Sequence, residues 1–513
     1  MPSARFHRGL LRGLAVSVLA GALLGLLPPT AGAKPPPTVL RTVPLDEARL
    51  LPADAAATRT PAGGIRLARR SWSPRKVTCA PITFTMVAFV WRQSGGEPVP
   101  ARVGWGRPGQ FHAAVPLLAD PDEAPDPGSP DDAGLSGTHA LWTGEARCAR
   151  YRLRFPAGDA VDQIRAVFIN TSGTARPPSL LDRAGAFLAR AWDMATEPLA
   201  PSPAEASAAQ PSIITRRQWG AAEKLRRCGP DYAEDGVKMA YVHHTVNSNA
   251  YARSRADDLI RGIYAYHTNG RHFCDIAYNF LIDRFGRIYE GRYGGMEEPV
   301  IGAHAMGFNT GSTGIAALGT FTGARPPKAM IKAYKRLLAW RLDVAHVKPT
   351  GRAVMVSAGG SNQKFDKGQT VNLPAISGHR QTGFTTCPGT ALFKRLGPIR
   401  KAAQAIGLPK IWNPQVTPEA ISLWQGQTMR LQAALSQEMT WSIELVWTDP
   451  ASLATEVVRQ YEGTGTVVDV TWDGKRADAV TPAPTGNYSV TFRAQVGSAA
   501  TARDAVVAAT VNP

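Results

Sequence analysis

The chain has 513 residues, of which 44% are hydrophobic and 19% charged, and its formal net charge is +18 at pH 7. This balance excludes a wholly disordered chain, and the length is sufficient for several domains. No basic patch interleaved with stacking aromatic residues accompanies the positive charge, so a nucleic-acid partner is not predicted. Anionic cell-wall polymers are a candidate partner, and a diffuse role in solubility is equally compatible with the charge.

The first 33 residues have the features of a signal peptide. Basic residues at Arg5, Arg8 and Arg12 precede an apolar run from Leu14 to Leu27, and small residues follow at positions 31–33. The run is shorter than the roughly 20 residues that span a bilayer as a helix, and no later stretch approaches that length. We therefore expect export, cleavage after Ala33 and no stable membrane span in the mature chain.

The part that follows is predicted to contain a β-rich domain between two irregular segments. Residues 34–70 are rich in Pro and Ala and are expected to be extended chain. Short apolar or alternating runs, separated by Pro, Gly and Asp, predict an N-terminal β-rich domain over residues 71–175, with an antiparallel sandwich as the favoured form. Residues 120–137 within it form a long acidic loop. Residues 176–211 are predicted to be a linker with a short helical pattern at 180–192.

Residues 212–408 alternate strand-like runs with amphipathic helices, which predicts an α/β domain with a mixed sheet flanked by helices. One helix is expected to begin near Ser254 with a capping box, another after Pro327, and a third to run from Leu392 to Gly407. Strands are predicted at 237–243, 277–283, 287–291, 313–320 and 375–378.

Residues 415–513 return to strand-like runs and predict a C-terminal immunoglobulin-like β-sandwich. Within them, WDG at 472–474 followed by PTGNY at 484–488 resembles the closing hairpin of the immunoglobulin-like domain of flagellar hook-capping proteins. The overall fold class is therefore multidomain, with the α/β domain between two β-rich parts.

Three residues of the central region could supply one metal site. His243 ends an apolar strand, in which alternation directs Tyr241 and His243 to one side and His244 to the other. His379 follows the strand-like run 375–378, and Cys387 comes after a turn that contains Gly and Thr. Two imidazoles and one thiolate form a three-ligand zinc set that leaves a fourth position open for water, which is the arrangement of a catalytic site.

The cysteines number five, an odd count, so at least one stands outside any disulfide framework. Each choice of that residue leaves three pairings for the other four, and the sequence alone does not select among them.

Seven strings in the central region occur in one order that resembles the type 2 N-acetylmuramoyl-L-alanine amidase and peptidoglycan recognition protein family. The resemblance covers about 200 of the 513 residues. The strings are RQWGA (217–221), VHHT (242–245), CDIAYNF (274–280), IYEGR (288–292), GAH (302–304), FNTGSTGI (308–315) and GHR through CPG (378–389).

The resemblance implies a zinc enzyme that hydrolyses the amide between the lactyl group of N-acetylmuramic acid and the first L-alanine of the stem peptide. It implies that His243, His379 and Cys387 bind the metal. Tyr278 matches the family's active-site tyrosine, and Thr385 falls where the family has threonine or lysine. Threonine at that position means that no fixed cation is available there.

The remaining site residues follow from the same resemblance. His304 and Asn309 are expected to line the substrate groove or support the ligands, and His244 to line the groove or pack beside the ligands. With Cys387 on the metal, the disulfides would be Cys79 with Cys148 and Cys228 with Cys274, each pair inside one predicted domain.

Two other functions compete with the amidase hypothesis. Members of the family without the cysteine ligand bind peptidoglycan and do not cut it, so a pure binding module is the first alternative. The second is a cell-surface protein in which the outer β-rich parts hold partners and the centre is vestigial. The presence of Cys387, Tyr278 and both histidines favours the enzyme.

Overall fold

The computed structural model describes residues 35–51, 57–60, 64–95, 98–119, 123–175, 208–497 and 502–513. The predicted signal peptide and positions 176–207 of the predicted linker lie outside these ranges. Within them, Pro37–Pro513 form one unit. None of the helices in the described ranges combines the length and the apolar character that a membrane span requires.

The N-terminal part is a single hydrogen-bonded sheet of eleven strands. Its longest members, the fifth and tenth strands, pair antiparallel near its centre. The strands are β1 (Val39–Pro44), β2 (Ala57–Arg59), β3 (Ile65–Leu67), β4 (Ser71–Trp72), β5 (Lys76–Gln93), β6 (Ala101–Arg107), β7 (Gln110–Phe111), β8 (Val115–Leu117), β9 (Ser136–Gly137), β10 (Leu141–Phe155) and β11 (Ala160–Asn170).

The prediction that residues 34–70 form only extended, weakly ordered chain is wrong for the described positions. Strand β1 pairs with β11 along its full length, and β3 pairs with both β2 and β11. Val43 packs against the core beneath the sheet, and Ile65 and Leu67 are buried in it. The stretch has few Val, Leu and Ile residues, so its sequence gives only a weak strand signal. It forms strands because β11 offers backbone groups for pairing.

The central part contains a mixed six-stranded sheet in the order β12, β15, β14, β16, β13, β19, with the β17–β18 pair beside it. Only the β14–β15 pair of the six is antiparallel. The strands are β12 (Ile213–Ile214), β13 (Met239–His244), β14 (Phe280–Ile282), β15 (Ile288–Glu290), β16 (Ser312–Ala317), β17 (Arg352–Val356), β18 (Thr370–Pro374) and β19 (Ile376–Gly378).

The helices of the central part differ from the predicted ones at their ends. The helix expected to start at Ser254 begins at Ala256 after a 3-10 turn, without a side-chain cap, so the capping-box prediction is wrong. The third predicted helix is divided into two at Lys394 and Arg395. The five helices of the described ranges are α1 (Arg216–Trp219), α2 (Ala256–Ala265), α3 (Lys328–Val344), α4 (Thr390–Phe393) and α5 (Leu396–Ala405).

The N-terminal sheet and the central part share one apolar core. Met86 and Ile169 on the sheet pack in the same buried cluster as Leu259 and Ile263 of α2. Gly262 permits the close approach, because a Cβ at that position would lie 2.0 Å from the sulfur of Met86. The N-terminal sheet therefore has a fixed position on the central part, which brings the acidic loop of the sheet close to the central sheet.

The C-terminal part is one hydrogen-bonded sheet of six strands. The first half of β22 pairs with β20, and its second half, after a register shift, pairs with β24. An immunoglobulin-like sandwich stays a prediction for this region. The strands are β20 (Ile411–Thr417), β21 (Ala420–Ser422), β22 (Met429–Thr448), β23 (Thr455–Trp472), β24 (Gly486–Gln495) and β25 (Arg503–Asn512).

Two disulfides are present, Cys79 with Cys148 and Cys228 with Cys274, as the sequence hypothesis had them. The first joins β5 to β10 across a sequence separation of 69 residues. Closing a loop of that length removes conformational entropy from the unfolded chain, worth about 4 kcal/mol on the chain-entropy model.

We expect the Cys79→Ser/Cys148→Ser double variant to lose up to about 4 kcal/mol of unfolding free energy, because its unfolded chain regains that freedom. Denaturant titration followed by tryptophan fluorescence measures the loss. As a control, thiol titration of denatured, metal-free parent and variant should each find one thiol, that of Cys387. Three thiols in the parent would contradict the pairing.

Candidate metal centre

His243 reaches the centre of the protein because β13 is an interior strand. It lies between β16 and β19, and all six of its residues are buried. Alternation holds along it: Val242 packs in the cluster that contains α3, and Tyr241 lies in a different cluster on the other face. The His243 side chain lies on the face of Tyr241, with the two ring centroids 6.1 Å apart.

His379 arrives at the same edge of the sheet because β19 runs parallel to β13. Val242 pairs with Gly378. The residues that follow them, His243 and His379, therefore lie side by side at the carboxyl ends of the two strands. The two imidazole centroids are 4.7 Å apart, and His379 is fully buried. Gly378 is required by packing, since a Cβ there would lie 2.7 Å from the Phe393 ring.

Cys387 returns to the histidines through the turn that follows His379. The Arg380 backbone N–H donates to the Cys387 carbonyl at 2.9 Å, and the Cys387 N–H donates to the Thr385 hydroxyl at 3.2 Å. The sulfur accepts a hydrogen bond from the His244 backbone N–H at 3.4 Å. Such a donor favours the thiolate over the thiol, and Cys387 is buried and outside both disulfides.

The three donor atoms fit a zinc ion. All lie within 4.8 Å of one another, and the Cys387 Sγ is 3.7 Å from the His243 Nδ1. Zinc–nitrogen and zinc–sulfur bonds at tetrahedral angles place such donors about 3.6 Å apart. Burial, and then the neighbouring His379, lowers the pKa of His243 well below its usual value, which keeps the imidazole neutral and its lone pair available.

His304 contacts the metal ligand His243, and Asn309 supports the loop that carries His304. The His243 Nε2 lies 3.2 Å from the His304 Nδ1. When the Nδ1 of His243 faces the metal, its Nε2–H donates a hydrogen bond to His304. The Asn309 side-chain oxygen accepts from the backbone N–H groups of His304 and Ala305 at 2.7 and 2.9 Å. Asn309 is fully buried and holds the His304 loop.

Three predicted residues take different positions around this set. Tyr278 lies in the turn before β14, not on a strand, with its ring centroid 5.5 Å from that of His243. Thr385 is half-buried in the turn before Cys387. The His244 Nδ1 accepts from the Phe321 backbone N–H at 3.1 Å on the far face of the sheet, and its place in a substrate groove stays a prediction.

The sequence reasoning missed the residues that surround this site from the N-terminal sheet. Residues 123–135, here called the acidic segment, contact the central part through three carboxylates, Glu123, Asp126 and Asp131. Their partners include His267 and Arg292. The composition of the loop marked it as acidic, but no local signal indicates that it docks on another part of the chain.

Comparisons with known proteins match this central part. A sequence model described as N-acetylmuramoyl-L-alanine amidase matches residues 233–390. Peptidoglycan-recognition protein SA of Drosophila melanogaster is 37% identical over 129 residues, which are 25% of this chain and 60% of that protein. Peptidoglycan-recognition protein SC2 of the same organism is 30% identical over 185 residues, 36% of this chain and 84% of that protein.

Among solved structures, Drosophila PGRP-LB is 27% identical, with 36% of this chain and 92% of that chain covered and a TM-score of 0.29. The aligned part of SC2 is most of that protein's length. Through its central part, the chain belongs to the type 2 N-acetylmuramoyl-L-alanine amidase and peptidoglycan recognition protein family.

Proposed function

We propose that this protein is an exported, zinc-dependent N-acetylmuramoyl-L-alanine amidase that hydrolyses the bond between N-acetylmuramic acid and L-alanine in peptidoglycan. One observation carries the proposal: the donor atoms of His243, His379 and Cys387 lie within 4.8 Å of one another. Two imidazoles and a thiolate leave a coordination position open, as a hydrolytic site requires. Further support comes from the description of the matching family and from the names of the relatives.

A zinc ion bound by this set would lower the pKa of water and polarise the scissile carbonyl. The chain's own residues prepare the set for it. Burial keeps His243 neutral, and the His304 Nδ1 accepts a hydrogen bond from its Nε2–H. The His244 backbone N–H stabilises the sulfur of Cys387 as an anion. One anionic ligand on a divalent ion leaves a net positive site, which favours the negative charge that develops on the carbonyl oxygen.

Tyr278 and Thr385 are the proposed catalytic side chains. The Tyr278 hydroxyl would donate a hydrogen bond to the attacking water or to the developing oxyanion. The Thr385 hydroxyl already accepts from the Cys387 N–H, so its own proton is directed elsewhere and is suited to donation to the substrate carbonyl. Both groups are neutral, and they orient the reacting atoms without adding a cation.

The remaining parts of the proposal concern location and attachment. We propose that residues 1–33 direct export and that the mature chain acts in the cell wall or outside the cell. Residues 71–175 and 415–513 would serve as outer domains, the second immunoglobulin-like, that hold the enzyme near its polymeric substrate. Attachment at several points raises the local concentration of the substrate without any change in the active site. Anionic wall polymers are candidates for these contacts because the chain carries a charge of +18.

A pure binding function is the alternative, since the relatives are named for peptidoglycan recognition. Digestion of purified sacculi separates the two. The zinc-loaded enzyme should release free stem peptides into the supernatant, whereas a binding module would sediment with the sacculi and release none. An absence of release with zinc supplied, both by the parent and by the Asp126→Ala variant, together with retained sedimentation, would favour the binding module.

We expect His304→Gln to weaken zinc binding by about 10- to 100-fold, because the residue that orients a metal-bound imidazole is lost. Competition with a chromogenic chelator measures the affinity. His346→Gln is a matched control, since this half-buried histidine contacts the Ile411 carbonyl far from the ligands. An affinity equal to that of the parent would show that His304 does not position His243.

A further inference from the structure

Three carboxylates of the acidic segment, residues 123–135, each contact polar groups of the central part. The Asp126 carboxylate accepts hydrogen bonds from the backbone of Gly307 at 2.7 Å and from the Asn309 side chain at 2.8 Å. Burial raises the pKa of Asp126, although these hydrogen bonds lower it. Asp131 pairs with the buried Arg292 and also accepts from the Cys274 backbone N–H.

Glu123 contacts His267, whose ring lies beside Tyr278. One carboxylate oxygen lies 3.1 Å from the His267 Nε2, and the other 3.5 Å from the His139 Nδ1. The His267 Nδ1 accepts from the backbone N–H of Ala277, the residue next to Tyr278, so the imidazole is held in the form that donates to Glu123. The His267 and Tyr278 ring centroids are 5.9 Å apart.

Backbone carbonyls of the N-terminal part also accept hydrogen bonds from side chains of the central part. Arg271 donates to the Leu135 carbonyl at 3.1 Å, and Tyr266 donates to the Thr138 carbonyl at 2.5 Å. A small cavity is lined by Tyr278 and Thr245 of the central part and by Glu123, Thr138 and His139 of the N-terminal part. The space in front of Tyr278 is therefore bounded by residues of the N-terminal sheet and of the acidic segment.

The metal ligands and Tyr278 are buried in this conformation. His243 and Tyr278 are each 1% exposed, His379 is 0% exposed and Cys387 is 3% exposed. A hydrolytic metal site must admit both water and the scissile group of its substrate to the open coordination position. A glycan-linked peptide is much larger than the cavity beside Tyr278, so the conformation described here is a closed one.

We propose that the acidic segment is an internal inhibitor that occupies the substrate cleft and must leave before a stem peptide can reach Tyr278. The inference rests on the proposed function in so far as the displaced ligand is a peptidoglycan stem. Stem peptides carry carboxylates, as the segment does. Both would compete for the same hydrogen-bond donors, the Arg292 guanidinium, the His267 imidazole and the Asn309 amide. The segment acts as a tethered acidic peptide in place of the substrate.

Two alanine variants and one matched control test the inhibitor. Asp126→Ala/Asp131→Ala removes the two carboxylates that contact Asn309 and Arg292. Asp126→Ala alone is a milder change, in case the double variant folds poorly, because it keeps the ion pair between Asp131 and Arg292. Asp132→Ala is the control, because this exposed carboxylate of the segment accepts from the backbone of Gly128 and Gly134 within the segment itself. Hydrogen exchange of residues 123–135 reports whether the segment is released.

The functional readout is the affinity of metal-free protein for a soluble N-acetylmuramoyl pentapeptide, measured by calorimetry, with cleavage by zinc-loaded protein measured in parallel. We expect faster exchange of the segment and an affinity increase of at least about 10-fold for the double variant, a smaller increase for Asp126→Ala, and none for Asp132→Ala. Increased affinity without cleavage in any variant would support the inhibitor and overturn the amidase. Unchanged exchange, or released segment with unchanged affinity, would overturn the inhibitor whether or not the enzyme cleaves.

Discussion

Cys387→Ser is expected to abolish the amidase activity, with a loss of at least about 10³-fold in the rate of stem-peptide release. The Lewis-acid contribution of a catalytic zinc is several kcal/mol, and a tenfold rate corresponds to about 1.4 kcal/mol. Serine replaces the anionic ligand with a neutral hydroxyl, so both the binding of zinc and the positive field at the carbonyl oxygen are lost. Product release is followed by chromatography, and the zinc content by elemental analysis of the same samples.

Thr386→Ala is the appropriate control for Cys387→Ser, since Thr386 is exposed and adjacent to the ligand. It should keep both zinc and activity. The account requires zinc content and rate to fall together in Cys387→Ser. A serine variant that loses zinc but cleaves at the parent rate would show that the reaction does not depend on this ion.

Tyr278→Phe is expected to lower kcat by about 10²- to 10³-fold, the usual effect of removing one hydrogen-bond donor to a developing oxyanion. Zinc content should not change, because the Tyr278 ring is not among the three donors. KM should change little if the hydroxyl acts mainly in the transition state. Steady-state kinetics on a soluble muropeptide, with zinc analysis of the same preparation, separates these effects.

Tyr293→Phe provides the comparison for Tyr278→Phe. Tyr293 is a partly exposed tyrosine of the same domain whose ring lies against Arg226, so removal of its hydroxyl leaves the metal centre untouched. Equal activity of Tyr278→Phe and Tyr293→Phe would show that the Tyr278 hydroxyl has no catalytic role. A loss confined to KM would assign Tyr278 to substrate binding.

Much of the central part could be predicted because its local patterns agree with its tertiary packing. The apolar residues before His243 predicted a strand at 237–243, and β13 is present at Met239–His244 with all six positions buried. The amphipathic pattern predicted a helix near Ser254, and Leu259, Ile260 and Ile263 of α2 all lie in the core beside the N-terminal sheet. Interior elements of this kind are specified by periodicity, which a sequence displays directly.

The parts that could not be predicted depend on contacts between distant residues. Tyr278 was expected on a strand, but β14 begins at Phe280. The carbonyls of residues 277–279 instead accept isolated hydrogen bonds from the backbone N–H groups of Ala303, Arg292 and Gly291. The docking of Asp126 on Asn309 joins residues 183 positions apart. Neither partner carries a local signal for the other, and the shared core of β5, β11 and α2 is what brings them together.

The most direct test of the central claim is mass spectrometry of a defined muropeptide digested in ¹⁸O-labelled water by the zinc-loaded parent chain and by the Asp126→Ala variant. The account predicts one ¹⁸O atom in the lactyl carboxylate of N-acetylmuramic acid and a stem peptide with a free N-terminal L-alanine. An intact substrate after digestion by both zinc-loaded proteins, or cleavage at any other bond, would contradict it.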